Sequence, residues 1–159
     1  MAQRALNVLF VCEKNSIRNV MAEALLNRFG DGRFRGFSAA LEPGAELDPL
    51  TLEILKSSGL PATTLKPRKL QEFLSPLAPK MDFIINLSKE VPPVVHSWPG
   101  KPFTARWGIT DPNEARDNND APRLVFRRAF RELENRVRLF VLVRHDVDTT
   151  KDLEESQSA

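Results

Sequence analysis

Apolar positions along the chain fall into two alternating kinds of run. Leu6–Val11 is almost continuously apolar, the pattern of a central strand buried on both faces of a parallel sheet. From Ile17 the apolar residues Ile17, Val20, Met21, Ala24, Leu25 and Phe29 recur at helical spacing, and Gly30 marks the stop. Phe34–Leu41 reads as a second strand with Ser38-Ala39-Ala40 at its end, followed by a turn at Glu42-Pro43-Gly44. Asp48-Pro49 supplies an N-cap and a first helical residue. The helix it opens spans Leu50–Ser58, with Leu52 and either Leu55 or Ile54 inward and Gly59 as its stop. A short helix is predicted over Lys69–Leu74, bounded by Pro67 and Pro76.

The second half repeats the alternation. Asp82–Leu87 is a third strand, a proline-rich loop runs from Val91 to Gly100, and Phe103–Trp107 is a short fourth strand. Gly108–Ala121 is a polar loop containing Asp111-Pro112. A long helix runs from about Pro122 to Val143, its inward stripe being Val125, Phe126, Ala129, Phe130, Leu133, Val137, Phe140 and Val141. Residues 1–145 form one domain, and the polar stretch 146–159, acidic at Asp152, Glu154 and Glu155, is expected to be a disordered tail. Strands alternating with helices predict an α/β fold, a parallel sheet with helices on both faces, whose ligand site lies beyond the carboxyl ends of the strands.

Composition narrows the functions. With 159 residues the chain suits one domain with a full core, and a net charge of +2 gives no ground for nucleic-acid binding. A single cysteine excludes an internal disulfide and any multi-cysteine metal site, and it fits a reducing, cytoplasmic setting. No apolar run is long enough to span a membrane or serve as a signal peptide. His96 and His145 are far apart and lack metal-ligand spacing, so neither metal nor cofactor is expected.

The chemistry concentrates where the first strand ends. Leu6–Val11 stops at Cys12, and Arg18 follows just inside the helix. A loop feeding a helix N-terminus directs backbone N–H groups and the positive end of the dipole at one spot, which suits an oxyanion of phosphate type. A thiol there is expected to have its pKa lowered from ~8.5 to about 4–7. Arg18 adds a planar fork able to grip two oxygens of the same anion. Taken alone, Cys12 would be a small buried hydrophobe, and Arg18 a solvated helix residue. Their spacing across a strand–loop–helix junction favours chemistry. Ser16 either donates to the thiolate or anion, or caps the helix; Asn15 tolerates a left-handed backbone and can tether the loop. Trp98 and Trp107 either wall the site or sit in the core, and Arg127, Arg128 and Arg131 read as a solvated helix face.

These residues resemble the low-molecular-weight protein tyrosine phosphatases and the arsenate reductases that share their fold. The matching pieces are Val11-Cys12-Glu13-Lys14-Asn15-Ser16-Ile17-Arg18, Met21-Ala22-Glu23-Ala24, Ser38-Ala39 and Leu65-Lys66-Pro67-Arg68. The second half adds Trp98-Pro99-Gly100-Lys101-Pro102 and Trp107-Gly108-Ile109-Thr110-Asp111-Pro112, and the final helix carries Arg131–Val137. The two tryptophan motifs lean toward the arsenate-reductase branch. The resemblance implies a three-layer fold around a four-stranded parallel sheet, with Cys12 as nucleophile, Arg18 as oxyanion clamp and Asp111 as general acid. Glu13, Lys14, Asn15, Ser16, Ile17 and Asn19 would surround the anion. Without that company, Asp111-Pro112 would read as a turn.

The chain departs from the family in four places. Lys14 stands where the family has Gly, and Asn19 where it has Ser. Asn113-Glu114-Ala115 follows Asp-Pro where the phosphatases carry aromatic residues. The two extra cysteines of thioredoxin-coupled arsenate reductases are missing, so any arsenate chemistry needs an external thiol. Hydrolysis of phosphomonoesters, of phosphotyrosine type, ranks slightly first. Arsenate reduction with a small thiol or glutaredoxin-like partner ranks second, and a non-catalytic oxyanion-binding module third. The partners follow: a phosphorylated protein or small phosphoester, or arsenate with a thiol donor, and neither nucleic acid nor membrane.

Overall fold

The computed structural model describes residues 4–89, 98–114 and 121–157. Four strands, β1 (Leu6–Lys14), β2 (Phe34–Glu42), β3 (Phe83–Asn86) and β4 (Phe103–Arg106), pair in the order β2-β1-β3-β4. Every pairing is parallel, as the alternation of elements predicts. The helices are α1 (Arg18–Phe29), α2 (Pro49–Ser57) and α3 (Pro122–Gln157), with one 3-10 turn at Leu70–Phe73. His96, most of the proline-rich loop and residues 115–120 lie outside the described residues, as does the side chain of His145.

The β1–α1–β2 crossover leaves β1 in one direction along the sheet, and β3 lies on the other side of β1. The order of the strands therefore switches at β1, and a crevice opens at its carboxyl end, where Cys12 sits. Residues on β1 alternate between two fully enclosed cores. Val8 and Phe10 pack with Met21, Leu25, Leu55, Phe126 and Leu133 beneath the three helices. Leu9 and Val11 pack on the opposite face with Phe37, Leu70, Phe73, Met81 and Trp98, so that layer is thin, a 3-10 turn and its flanking segments. At the opposite end of the sheet Arg4 grips Asp82 with both Nη atoms, at 3.0 and 2.8 Å, and Asp82 also accepts from the Asn7 amide at 2.7 Å. The starts of β1 and β3 are thereby held in register.

Local chemistry sets the helix ends. Asp48 accepts from the Leu50 amide at 2.9 Å with Pro49 following, an N-cap worth about 1 kcal/mol. Ile54 and Leu55 face inward as expected, whereas Leu52 points out and Thr51 takes its place in the inward stripe. Gly30 does end α1, but in a right-handed conformation: a Cβ there would lie 2.6 Å from the Leu26 carbonyl oxygen and 3.0 Å from Phe34 Cβ. Close approach, rather than a left-handed backbone, demands the glycine.

The inward stripe of α3 is as read from the sequence: Val125, Phe126, Ala129, Leu133 and Val137 are buried, and Phe130, Phe140 and Val141 are partly so. Its length is not. The helix continues to Gln157 where a disordered tail from residue 146 is expected. After Pro122 the sequence contains neither glycine nor proline, so nothing in the backbone chemistry stops the helix. Arg127, Arg128 and Arg131 are exposed, as expected.

Candidate active site

Cys12 lies opposite Ala40 in the β1–β2 register and is fully buried. Pairing with β2 does not stop where the apolar run stops, because Lys14 still pairs with Glu42. Backbone ladders need no apolar side chains, so the strand outruns its hydrophobic pattern. Asn15 then turns the chain with φ of 51°, the left-handed conformation asparagine tolerates. Lys14 stays extended within β1, so it carries no left-handed strain in place of a glycine.

This routing commits the loop amides. The Asn15 amide donates to the Glu42 carbonyl at 3.0 Å and the Ser16 amide to the Pro43 carbonyl at 3.3 Å. The Ile17 amide donates back to the Asn15 carbonyl at 2.7 Å, and the Glu13 amide to Ser88 Oγ at 2.9 Å. Ser16 Oγ also donates to the Pro43 carbonyl, at 3.0 Å, so it neither caps α1 nor faces the thiol. Four of the N–H groups expected around an anion are therefore turned toward protein carbonyls and Ser88. Toward Cys12 the loop presents carbonyls, and Sγ donates to the Lys14 and Asn15 oxygens at 3.5 and 3.6 Å.

The electrostatics follow from that geometry and correct the expected activation. Burial pushes the Cys12 thiol up to about 12, and the negative charges of Asp111 and Glu13 add to the rise. The Arg18 charge and the Asn19 backbone N–H oppose it without prevailing. In this conformation Cys12 is a neutral thiol at physiological pH. Asn19 is itself buried; its Oδ1 accepts from the Val20 amide at 2.9 Å. Its side-chain Nδ2 has no hydrogen-bond partner among the described residues. The backbone of Asn19, rather than its amide side chain, addresses the sulfur.

Arg18 is no solvated helix residue, being 5% exposed. Its Nη1 donates to the Leu87 carbonyl at 3.3 Å and the Ile109 carbonyl at 3.0 Å, joining the exits of β3 and β4. Its Nη2 lies 3.8 Å from Asp111 Oδ2. Asp111 also accepts from the Asn113 amide at 3.0 Å. Asp111 thus shapes a turn, and that turn sets its carboxylate beside Arg18.

A cavity of about 310 Å³ opens here, lined by Glu13, Lys14, Arg18, Ser88, Lys89, Asp111 and Glu114. Asn15, Ser16 and Ile17 instead line a second hollow of about 320 Å³ with Pro43, Asp48 and Asn113. Ser88 and Lys89 carry no motif in the sequence. They follow β3, and only their position beyond a strand's carboxyl end marks them as site residues. The tryptophans resolve toward the core: Trp98 packs with Leu9 and Ile84, and Trp107 lies 5.8 Å from the Phe10 ring and 6.0 Å from Phe140.

Comparison with known proteins agrees with this architecture. A family model described as low molecular weight phosphotyrosine protein phosphatase matches residues 7–156. An arsenate reductase of Halalkalibacterium halodurans is 25% identical over 134 residues, 84% of this chain and 93% of its own. The solved arsenate reductase of Archaeoglobus fulgidus is 29% identical with a TM-score of 0.62, covering 84% of this chain and 98% of that one. A low molecular weight protein tyrosine phosphatase from T. tengcongensis shares the fold at 20% identity and TM-score 0.62, covering 89% of this chain and 99% of its own.

Proposed function

The chain belongs to the low molecular weight phosphotyrosine protein phosphatase family, and we propose that it is a cysteine-dependent enzyme acting on small tetrahedral oxyanions, arsenate before aryl phosphates. Members of the family are enzymes of one chemistry, attack by a thiolate on a tetrahedral centre. Cys12 is the nucleophile, Arg18 the clamp and Asp111 the proton donor. The observation that carries the choice of substrate is the lining of the cavity. Lys14, Arg18 and Lys89 bring positive charge, and Glu13, Asp111 and Glu114 negative charge. Such walls suit a compact, hydrated, partly protonated oxyanion. Among the described residues no aromatic side chain lines the cavity: Trp98 and Trp107, which could have walled the site, are packed in the cores. That reverses the order of the two enzymatic readings drawn from the sequence, and the two arsenate reductases at 25% and 29% identity point the same way.

The reaction begins with a change of the loop. For an anion to be held, the amides now given to Glu42 and Pro43 must turn inward and the Lys14 and Asn15 carbonyls away from Sγ. The thiol proton then leaves, favoured by Arg18 and the incoming N–H groups. Thiolate attack on arsenic(V) forms an S–As bond while an As–O bond breaks, and Asp111 protonates the departing oxygen. An external thiolate next attacks Cys12 Sγ. The S–As electron pair moves to arsenic, releasing arsenite and leaving a mixed disulfide, and a second external thiol regenerates Cys12. Two thiols are oxidised and one arsenic is reduced by two electrons.

Phosphomonoester hydrolysis is the second reading, favoured by the carboxylate of Asp111 standing beside Arg18. There the same acid protonates the leaving alcohol and then activates water against the phosphocysteine. One protein preparation tests both: arsenite production with glutathione–glutaredoxin or thioredoxin supplied separately, and aryl-phosphate hydrolysis without reductant. Arsenite formation dependent on glutathione is the expected result. Phosphatase turnover with no arsenite would restore the hydrolase to first place. Phosphate binding without either turnover would reduce the chain to a binding module.

A further inference from the structure

A serine hydroxyl has one proton to donate and two lone pairs with which to accept. Ser88 lies just past the end of β3 and is 4% exposed. Its Oγ accepts from the Glu13 amide at 2.9 Å. Among the described residues no group accepts its proton. The cavity that Ser88 lines is the place left for that proton. A nearly buried donor without a partner is costly, and an oxyanion in the cavity supplies the missing acceptor. On the oxyanion reading of the cavity, on which this inference rests, we propose that Ser88 also binds the anion, its hydroxyl donating to one of the anion's oxygens.

The backbone on both sides of that hydroxyl is held. The Ser88 amide donates to Asn86 Oδ1 at 2.9 Å, and the Leu87 amide to the Val11 carbonyl at 2.8 Å. Arg106 Nη1 reaches over from β4 to the Lys89 carbonyl at 3.0 Å. Arg18 Nη1 bonds the Leu87 carbonyl, which belongs to the peptide unit joining Leu87 to Ser88, so guanidinium and hydroxyl are neighbours. A donor fixed in this way needs no reorganisation when negative charge arrives. Accepting the Glu13 N–H also polarises the hydroxyl and strengthens it as a donor. The Asn15 and Ser16 amides must leave the carbonyls of Glu42 and Pro43 before they can meet an anion. Ser88 has no such bond to break, so with Arg18 it forms the part of the site that is ready in the resting conformation.

Inorganic phosphate is the probe, its affinity for the full chain read by phosphorus NMR titration and by thermal stabilisation. Ser88→Ala should weaken phosphate roughly tenfold or more, as the loss of a hydrogen bond to a charged group does. The KM for arsenate or an aryl phosphate should rise by a similar factor, with a smaller change in kcat. Ser88→Thr keeps the hydroxyl and should recover most of the affinity. The sign of the effect separates anion binding from a purely structural role. A serine that only held the Glu13 amide would, once removed, release an N–H group and lower the melting temperature of the free protein without weakening phosphate. Unchanged or tighter phosphate binding by Ser88→Ala would therefore overturn the proposal. So would a Ser88→Thr chain of parent-like melting temperature that binds phosphate no better than Ser88→Ala. A parent that turns over neither arsenate nor aryl phosphate defeats the enzymatic reading instead, and the phosphate titrations still decide the role of Ser88.

Discussion

Arg18 and Asp111 face each other across the charged cavity, Nη2 to Oδ2 at 3.8 Å, and the guanidinium is also bonded to the carbonyls of Leu87 and Ile109. Arg18 is thus a fixed part of the fold whether or not an anion is bound. An anion reaching its free edge comes within range of the Asp111 carboxyl. Replacing Asp111 by Asn keeps the acceptor for the Asn113 amide and removes the acid. Turnover should fall by about 10²–10⁴-fold, with poorer leaving groups suffering more in an aryl-phosphate series. Equal rates for parent and variant would leave Asp111 as a turn residue alone.

Arg18→Lys should cost both fold and site. A single ammonium cannot reach Leu87 and Ile109 while holding two oxygens of an anion. Stability is expected to drop by about 1–3 kcal/mol as buried carbonyls lose their donor. The rise in melting temperature that phosphate gives the parent should vanish. Retention of that rise would show that the anion binds elsewhere.

The thiol makes a prediction opposite to the one its motif suggests. With burial pushing Cys12 up to about 12, the free protein should show no thiolate absorbance step between roughly pH 5 and pH 9. Alkylation by iodoacetamide should be correspondingly slow in that range. A step below neutrality would mean that the loop in solution already turns its amides toward the sulfur.

A second buried group governs stability rather than chemistry. Glu23 on α1 accepts from Ser38 Oγ on β2 at 3.2 Å, and burial pushes its carboxyl up to about 7 despite the opposing charge of Arg68. Because the folded value lies above the unfolded one, stability is greatest below the ordinary carboxylate range. It declines as pH rises toward about 7 and is level above that. Glu23→Gln keeps the Ser38 bond and removes the titration. The variant should be more stable than the parent at pH ~8, by on the order of 1–3 kcal/mol, with a flatter melting-temperature profile between about pH 4 and pH 8. A less stable variant at high pH would mean that attraction to Arg68 outweighs burial.

The order of elements, the inward stripe of α3 and the placing of Cys12 at a strand's end were legible because each is a local pattern. Apolar spacing distinguishes strand from helix, and Asp48-Pro49 carries its own capping chemistry. The tertiary structure decided what no local pattern encodes. Which amides of residues 13–17 are free depends on how far β1 keeps pairing with β2, and Lys14 opposite Glu42 answers that. Whether Cys12 ionises depends on its burial, which only the packed loop sets. Ser88 and Lys89 enter the cavity solely because β3 lies beside β1. By itself, then, the sequence determined the fold class and the nearness of Cys12 and Arg18 at one strand–helix junction, since both rest on residue type and near spacing. The electrostatic state of that pair was decided by long-range pairing and burial, because charge is controlled by solvent and partners that only the folded chain brings together.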